Sequence, residues 1–180
     1  MIRVYNSRMP IPPDQALSLR DNAIRTLEME QPVTQRVIEA VPLDKGDYRP
    51  DDFGKTALEL AWHIAGAEHL FHSAVINGGF DFSNTGRPAA IANSADVARW
   101  YAETSQQDLA KLAALPADAL TKVLDFRGLF QLPAVAYLDF SIRHIVHHRG
   151  QLSVYLRPMG AKVPAIYGES YDSAKAKAGA

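Results

Sequence analysis

Residues 134–157 read AVAYLDFSIRHIVHHRGQLSVYLR, and the spacing within them decides the fold. At about 100° per residue, Ala134, Leu138, Ile145, Leu152 and Leu156 fall on one face. The stripe predicts an amphipathic helix, with Pro133 in its first turn and Pro158 and Gly160 breaking it. His144 and His148 stand one turn apart at the border of the apolar face, on a stripe with Tyr137, Ser141, Gln151 and Tyr155. His147 turns toward Asp139, Arg143 and Arg157 and reads as exposed or supporting. Arg149 points away from His144 and reads as half of a surface ion pair. Gly150 costs about 1 kcal/mol relative to alanine inside a helix, which close packing against a neighbour would explain.

Three more principal helices, and a shorter one, follow from the same periodicity. Leu17, Ile24 and Leu27 recur at helical spacing between Asp14 and Glu30, and Pro32 is placed to open a shorter helix to Ala40. Thr56-Ala-Leu-Glu59 is a capping box that starts a long helix to Ile76. Ser94 caps another, running to Ala114 before Pro116. Residues 77–93, NGGFDFSNTGRPAAIAN, are rich in turn formers and long for a connection, so they read as a surface loop or as a lid over a site. Thr121 to Leu132 hold β-branched and aromatic residues around Arg127-Gly128 and fit a short hairpin or an extended arm. The tail SAKAKAGA is low in complexity and expected to fray. Four principal helices with two long connections predict an all-α four-helix bundle, a single domain over residues 1–180 with its core at about 14–168.

Composition narrows the function. The 180 residues carry 19 Lys+Arg against 20 Asp+Glu, a formal charge of −1. The basic residues are scattered, so neither a nucleic-acid footprint nor a polybasic membrane patch is present. No cysteine occurs, which excludes thiolate nucleophiles, thiolate metal sites and intrinsic thiol redox chemistry. The opening MIRVYNSRMPIPP lacks the apolar core of a signal peptide, and no run approaches the roughly 18 residues of a membrane span. A cytoplasmic protein is therefore expected.

The six histidines form two groups, His63, His69 and His72, then His144, His147 and His148. On the second helix Leu60, Ile64, Ala67, Leu70, Phe71 and Ala74 share an arc that includes His63. Glu68, His69, His72 and Ser73 fall outside it, and His69 and His72 read as solvated. His63 alone fits a hydrogen-bonded core residue or a ligand; His144 and His148 alone fit a polar helix edge or a ligand pair. Taken together they make a metal site. Imidazoles at i and i+4 converge on one ion, and His63 is the core-directed third ligand from a facing helix. A three-histidine set leaves positions for water or substrate, as in catalytic zinc sites. Glu59 lies one turn before His63, but the capping box already accounts for it. Gln151 and Tyr155 are candidate contacts to the site from outside the ligand set.

Two segments also resemble a known family. Residues 144–168, HIVHHRGQLSVYLRPMGAKVPAIYG, resemble the C-terminal signature of the DinB-like (damage-inducible, YfiT-like) superfamily. Residues 56–71, TALELAWHIAGAEHLF, resemble its second-helix motif, in which a histidine precedes a glutamate by five positions, here His63 and Glu68. The resemblance implies a four-helix bundle, often a homodimer, with a divalent metal on three histidines. Carried onto this chain these are His63, His144 and His148, the same three that the helical faces select. Some relatives resemble metal-dependent thiol transferases that use mycothiol, bacillithiol or glutathione; others are described as metal-dependent hydrolases or as damage-inducible proteins.

These readings give two classes of function. An enzyme would hold zinc or nickel on the three histidines, activate a low-molecular-weight thiol or water, and act on a small-molecule substrate. No carboxylate is placed as a general base, which weakens the hydrolase more than the thiol transferase. The alternative is a non-enzymatic metal-binding bundle, which a fourth protein ligand or a sealed site would favour.

Overall fold

Thr56 accepts a hydrogen bond from the Glu59 amide, and the Glu59 carboxylate accepts one from the Thr56 amide at 2.8 Å. This capping box fixes the start of helix α2 (Ala57–Asn77), the element that carries His63. Gly78, with φ +71°, closes it in the left-handed conformation that glycine tolerates. The computed structural model describes residues 11–178 and the backbone of Tyr5–Asn6; readings made for residues 1–4, 7–10 and 179–180 lie outside the described residues.

The bundle has four long helices: α1 (Pro13–Glu39), α2, α3 (Ser94–Ala113) and α5 (Ala136–Leu156). Both α1 and α2 pack against α3 and α5, so α1 and α2 lie diagonally across the bundle. One core region joins Leu27, Ile38, Leu60, Ile64, Ile145 and Leu152; the other joins Phe71, Leu112, Leu120, Leu124 and Leu138. A short helix α4 (Ala117–Thr121) leads into the hairpin β2 (Val123–Phe126) and β3 (Phe130–Pro133). The hairpin expected around Arg127-Gly128 is present, with Phe126 opposite Phe130. Strand β1 (Tyr5–Asn6) adds to β3 in parallel, a pairing that the sequence reading lacks.

Three local readings are corrected. Pro32 does not open a second helix but lies inside α1, which runs unbroken for 27 residues. Proline costs a helix one hydrogen bond, to the carbonyl four residues back. Here that carbonyl belongs to Glu28, and Glu28 and Pro32 both face water, while Gln31, Thr34, Val37 and Ile38 bury the opposite side. Pro133 ends β3 rather than opening α5. The cap of α3 is Asn93, whose side chain accepts from the Asp96 amide at 3.0 Å, and the Ser94 hydroxyl donates to the Val41 carbonyl instead. Residues 173–178 of the tail lie in helix α6 (Tyr171–Ala178), joined to the preceding loop where the Val163 amide donates to the Asp172 carboxylate. Among the described residues no helix is long and apolar enough to cross a membrane.

Candidate metal centre

α2 and α5 pack side by side, and this pairing brings three imidazoles from the two helices together. One nitrogen from each of His63, His144 and His148 lies within 4.8 Å of the others. His63 Nε2 and His148 Nε2 approach to 3.1 Å. Two imidazole nitrogens so close must share something, either a proton or a cation. A tetrahedral ion with metal–nitrogen bonds of about 2.0–2.1 Å would set its nitrogens about 3.3 Å apart, so the pair is already near ligand spacing.

The electrostatics suit the same role. Burial, followed by the neighbouring positive potential of His148 and Lys55, pulls the His63 pKa down to about 4. Burial and the other histidines pull His144 down to about 3. His148 is also lowered, chiefly by burial. All three are therefore neutral near pH 7, the form with a lone pair to donate. Gln151 Oε1 accepts from His148 Nδ1 at 3.0 Å, which fixes the tautomer and leaves Nε2 free to face His63. His144 Nδ1 is buried without a hydrogen-bond partner. The donor set thus fits a divalent cation.

The centre is reached from two sides. His63 lines a cleft of about 680 Å³, whose wall includes Ala67 and Leu70, residues of the arc expected to be wholly core. His144 and the exposed His147 line a second cleft of about 660 Å³, walled by Phe130, Leu132 and Phe140. Phe126 and Phe130 flank the hairpin turn, one in each cleft, so the hairpin divides them. The 77–93 loop contributes Phe82, Thr85 and Arg87 to the first cleft. Tyr155 is not at the histidines; its hydroxyl donates to the Lys55 carbonyl at 3.4 Å and its ring meets Tyr48 edge-on, so it braces the loop before α2.

A second polar group lies deeper, where solvated residues were expected. His72 is fully buried and Glu68 nearly so. Glu68 accepts from Gln31 Nε2 and from the Tyr101 hydroxyl, both at 2.6 Å. His72 Nδ1, without a hydrogen-bond partner, faces Asp108 at 3.8 Å and Glu68 at 4.0 Å. His69 is part-exposed and holds Asp108 at 2.7 Å. Burial raises the Glu68 pKa to about 7 and lowers that of His72 to about 4. Arg149 is buried too: it reaches α1, binding Glu30 Oε2 at 2.6 Å and Thr34 Oγ1 at 3.2 Å, and donates to the Tyr167 hydroxyl at 2.6 Å. Gly150 is exposed, and a Cβ there would meet nothing within 4 Å, so packing does not explain it.

The chain is similar to known proteins in sequence and in fold. The chain is 28% identical over 130 residues to the uncharacterized protein YjoA of Bacillus subtilis, covering 71% of this chain and 82% of that one. It is 28% identical over 150 residues to the uncharacterized YrdA of the same organism, covering 82% and 87%. The crystal structure of the DinB-like YjoA superposes with a TM-score of 0.68 at 25% identity, over 82% of this chain and 99% of that one. A DinB-like protein from Bacillus cereus gives the same TM-score at 23% identity, over 82% and 97%, a likeness of fold. The model of the DinB family matches residues 18–178, all four bundle helices except the first turn of α1, and the chain belongs to that family.

Proposed function

We propose that the protein is a metal-dependent enzyme that transfers a low-molecular-weight thiol to a small electrophile. The observation that carries this is the convergence of His63, His144 and His148 where two open clefts adjoin. A zinc or nickel ion held there would supply Lewis acidity, lowering the pKa of a thiol brought to it. The chain's own contribution is positional. The three imidazoles stay neutral, Gln151 holds the His148 tautomer, and the Lys55 ammonium adds positive potential beside His63 and His148. The clefts give room for two organic reactants. During transfer the sulfur loses its proton to solvent and forms the new bond to carbon with its own electron pair, while the leaving group departs with the pair from the bond it breaks.

Hydrolysis is less well supported, because the carboxylate in the His63 cleft, Glu59, is engaged by its own helix start. A purely structural ion is less well supported because both clefts are open to solvent at the histidines. The test is elemental analysis of the parent and of His63→Ala, His144→Ala and His148→Ala, followed by assays with glutathione, mycothiol and bacillithiol against a chlorinated aromatic acceptor. Near-stoichiometric metal in the parent, lost with turnover in each variant, is expected. No metal after reconstitution, or undiminished turnover in His148→Ala, would overturn the reading.

A further inference from the structure

The cleft beside His63 is built from four separate segments. Lys55 comes from the loop before α2, Trp62 from α2, Phe82 and Arg87 from the 77–93 loop, and Phe126 and Arg127 from the hairpin. Three of these six are cations and three are aromatic. The lining contains one acid, Glu59, and its carboxylate is bound to the Thr56 amide in the capping box. Among the described residues neither arginine pairs with a carboxylate: Arg87 donates to the Ile91 carbonyl, and the Arg127 guanidinium lies 4.0 Å over the Phe82 ring.

Arg127 sits in the hairpin turn. Its φ is +55°, the left-handed region that an ordinary side chain enters at a cost of order 1 kcal/mol, and it is the one non-glycine residue with positive φ among those described. The Leu129 amide donates to the Phe126 carbonyl at 2.9 Å to close the turn, in which Arg127 and Gly128 take the two positive φ values of a tight hairpin, and the guanidinium lies on Phe82. Three cations against one carboxylate, on flat apolar walls, leave an excess of positive charge that is complementary to one kind of ligand.

We propose that this cleft binds a small organic carboxylate with a planar apolar body, its anionic group on Lys55, Arg87 and Arg127 and its body against Trp62, Phe82 and Phe126. The ligand's role as a reactant rests on the thiol-transfer reading, with the other reactant in the apolar cleft beside His144. Its binding does not depend on that reading.

Trp62 supplies the readout. Phenylacetate and its neutral isostere phenylacetamide are titrated against the protein at low salt, following tryptophan fluorescence, with metal content measured on the same samples. Phenylacetate should bind about tenfold more tightly, an advantage that shrinks as added salt screens the cations. In Arg127→Gln and in Lys55→Gln the advantage should fall to about twofold while phenylacetamide affinity holds. Equal affinities in the parent, no binding of either compound, or a preference untouched by both substitutions would overturn the proposal. A carboxylate preference in protein that takes up no metal would uphold the cleft and sink the thiol transferase; metal uptake without the preference would do the reverse.

Discussion

Arg149 and Gln151 follow His148 closely in sequence and do opposite jobs. Gln151 turns toward His148 and fixes its tautomer, whereas Arg149 turns away, across the bundle to Glu30, Thr34 and Tyr167. Gln151→Ala should weaken metal affinity by about 10- to 100-fold with little change in fold, as measured by competition with a chromophoric chelator. Arg149→Ala should cost about 3 kcal/mol in urea unfolding, because it strands a largely buried carboxylate. Arg149→Lys should recover little, since one ammonium cannot span three acceptors arranged for a planar fork. The convergence of the three histidines was legible, because two histidines a turn apart and a third on an apolar arc already define a geometry. The destination of Arg149 was not. Its partner Glu30 lies 119 residues away, just as Glu68 finds Gln31 at a separation of 37, and helical periodicity carries no such pairing.

At the scale of elements, punctuation was the readable signal. The capping box, Gly78 and Pro158 bound α2 and α5 where local chemistry demands, and Arg127-Gly128 marks the hairpin turn. Reading failed where an element has two neighbours. α2 packs against both α3 and α5, so its buried arc is wider than one apolar stripe and takes in Glu68 and His72. Proline misled for a related reason: α1 buries enough on one side to carry Pro32 on the other. Gly150 offers a direct test of the corrected geometry. It is helical, exposed and free of neighbours, so Gly150→Ala should stabilise the protein by about 0.5–1 kcal/mol, seen as a rise in the urea midpoint with an unchanged slope. A loss of stability would mean that the site is crowded after all.

For the whole molecule, the buried Glu68–His72 pair sets two opposing pH dependences. The folded state holds the Glu68 proton up to about 7 against 4.5 in the unfolded chain, so this contribution is lost as pH rises through that window. His72 resists protonation down to about 4 against 6.5, so its contribution is lost as pH falls from 6.5 to 4. Each is on the order of 3 kcal/mol, and together they largely cancel. Removing either should expose the other: Glu68→Gln should lose stability on acidification from about pH 7 to 4.5, and His72→Gln should gain it, relative to each other. Urea unfolding at the two pH values reads the difference between the variants, in which contributions common to both, the histidine triad included, drop out. Parallel slopes would refute the assignment.

The chain contains no cysteine, yet His63 and His148, 85 residues apart, meet at their ring nitrogens. A cation shared by that pair would tie α2 to α5 as a covalent bridge would, and closing a loop of that length is worth about 4.5 kcal/mol in chain-entropy terms. Such a tie is indifferent to reductants and answers to chelators and acid instead. Cleavage of the intervening 77–93 loop by a protease would then leave two fragments held by their shared core and by the cation, and withdrawing the cation would loosen that association.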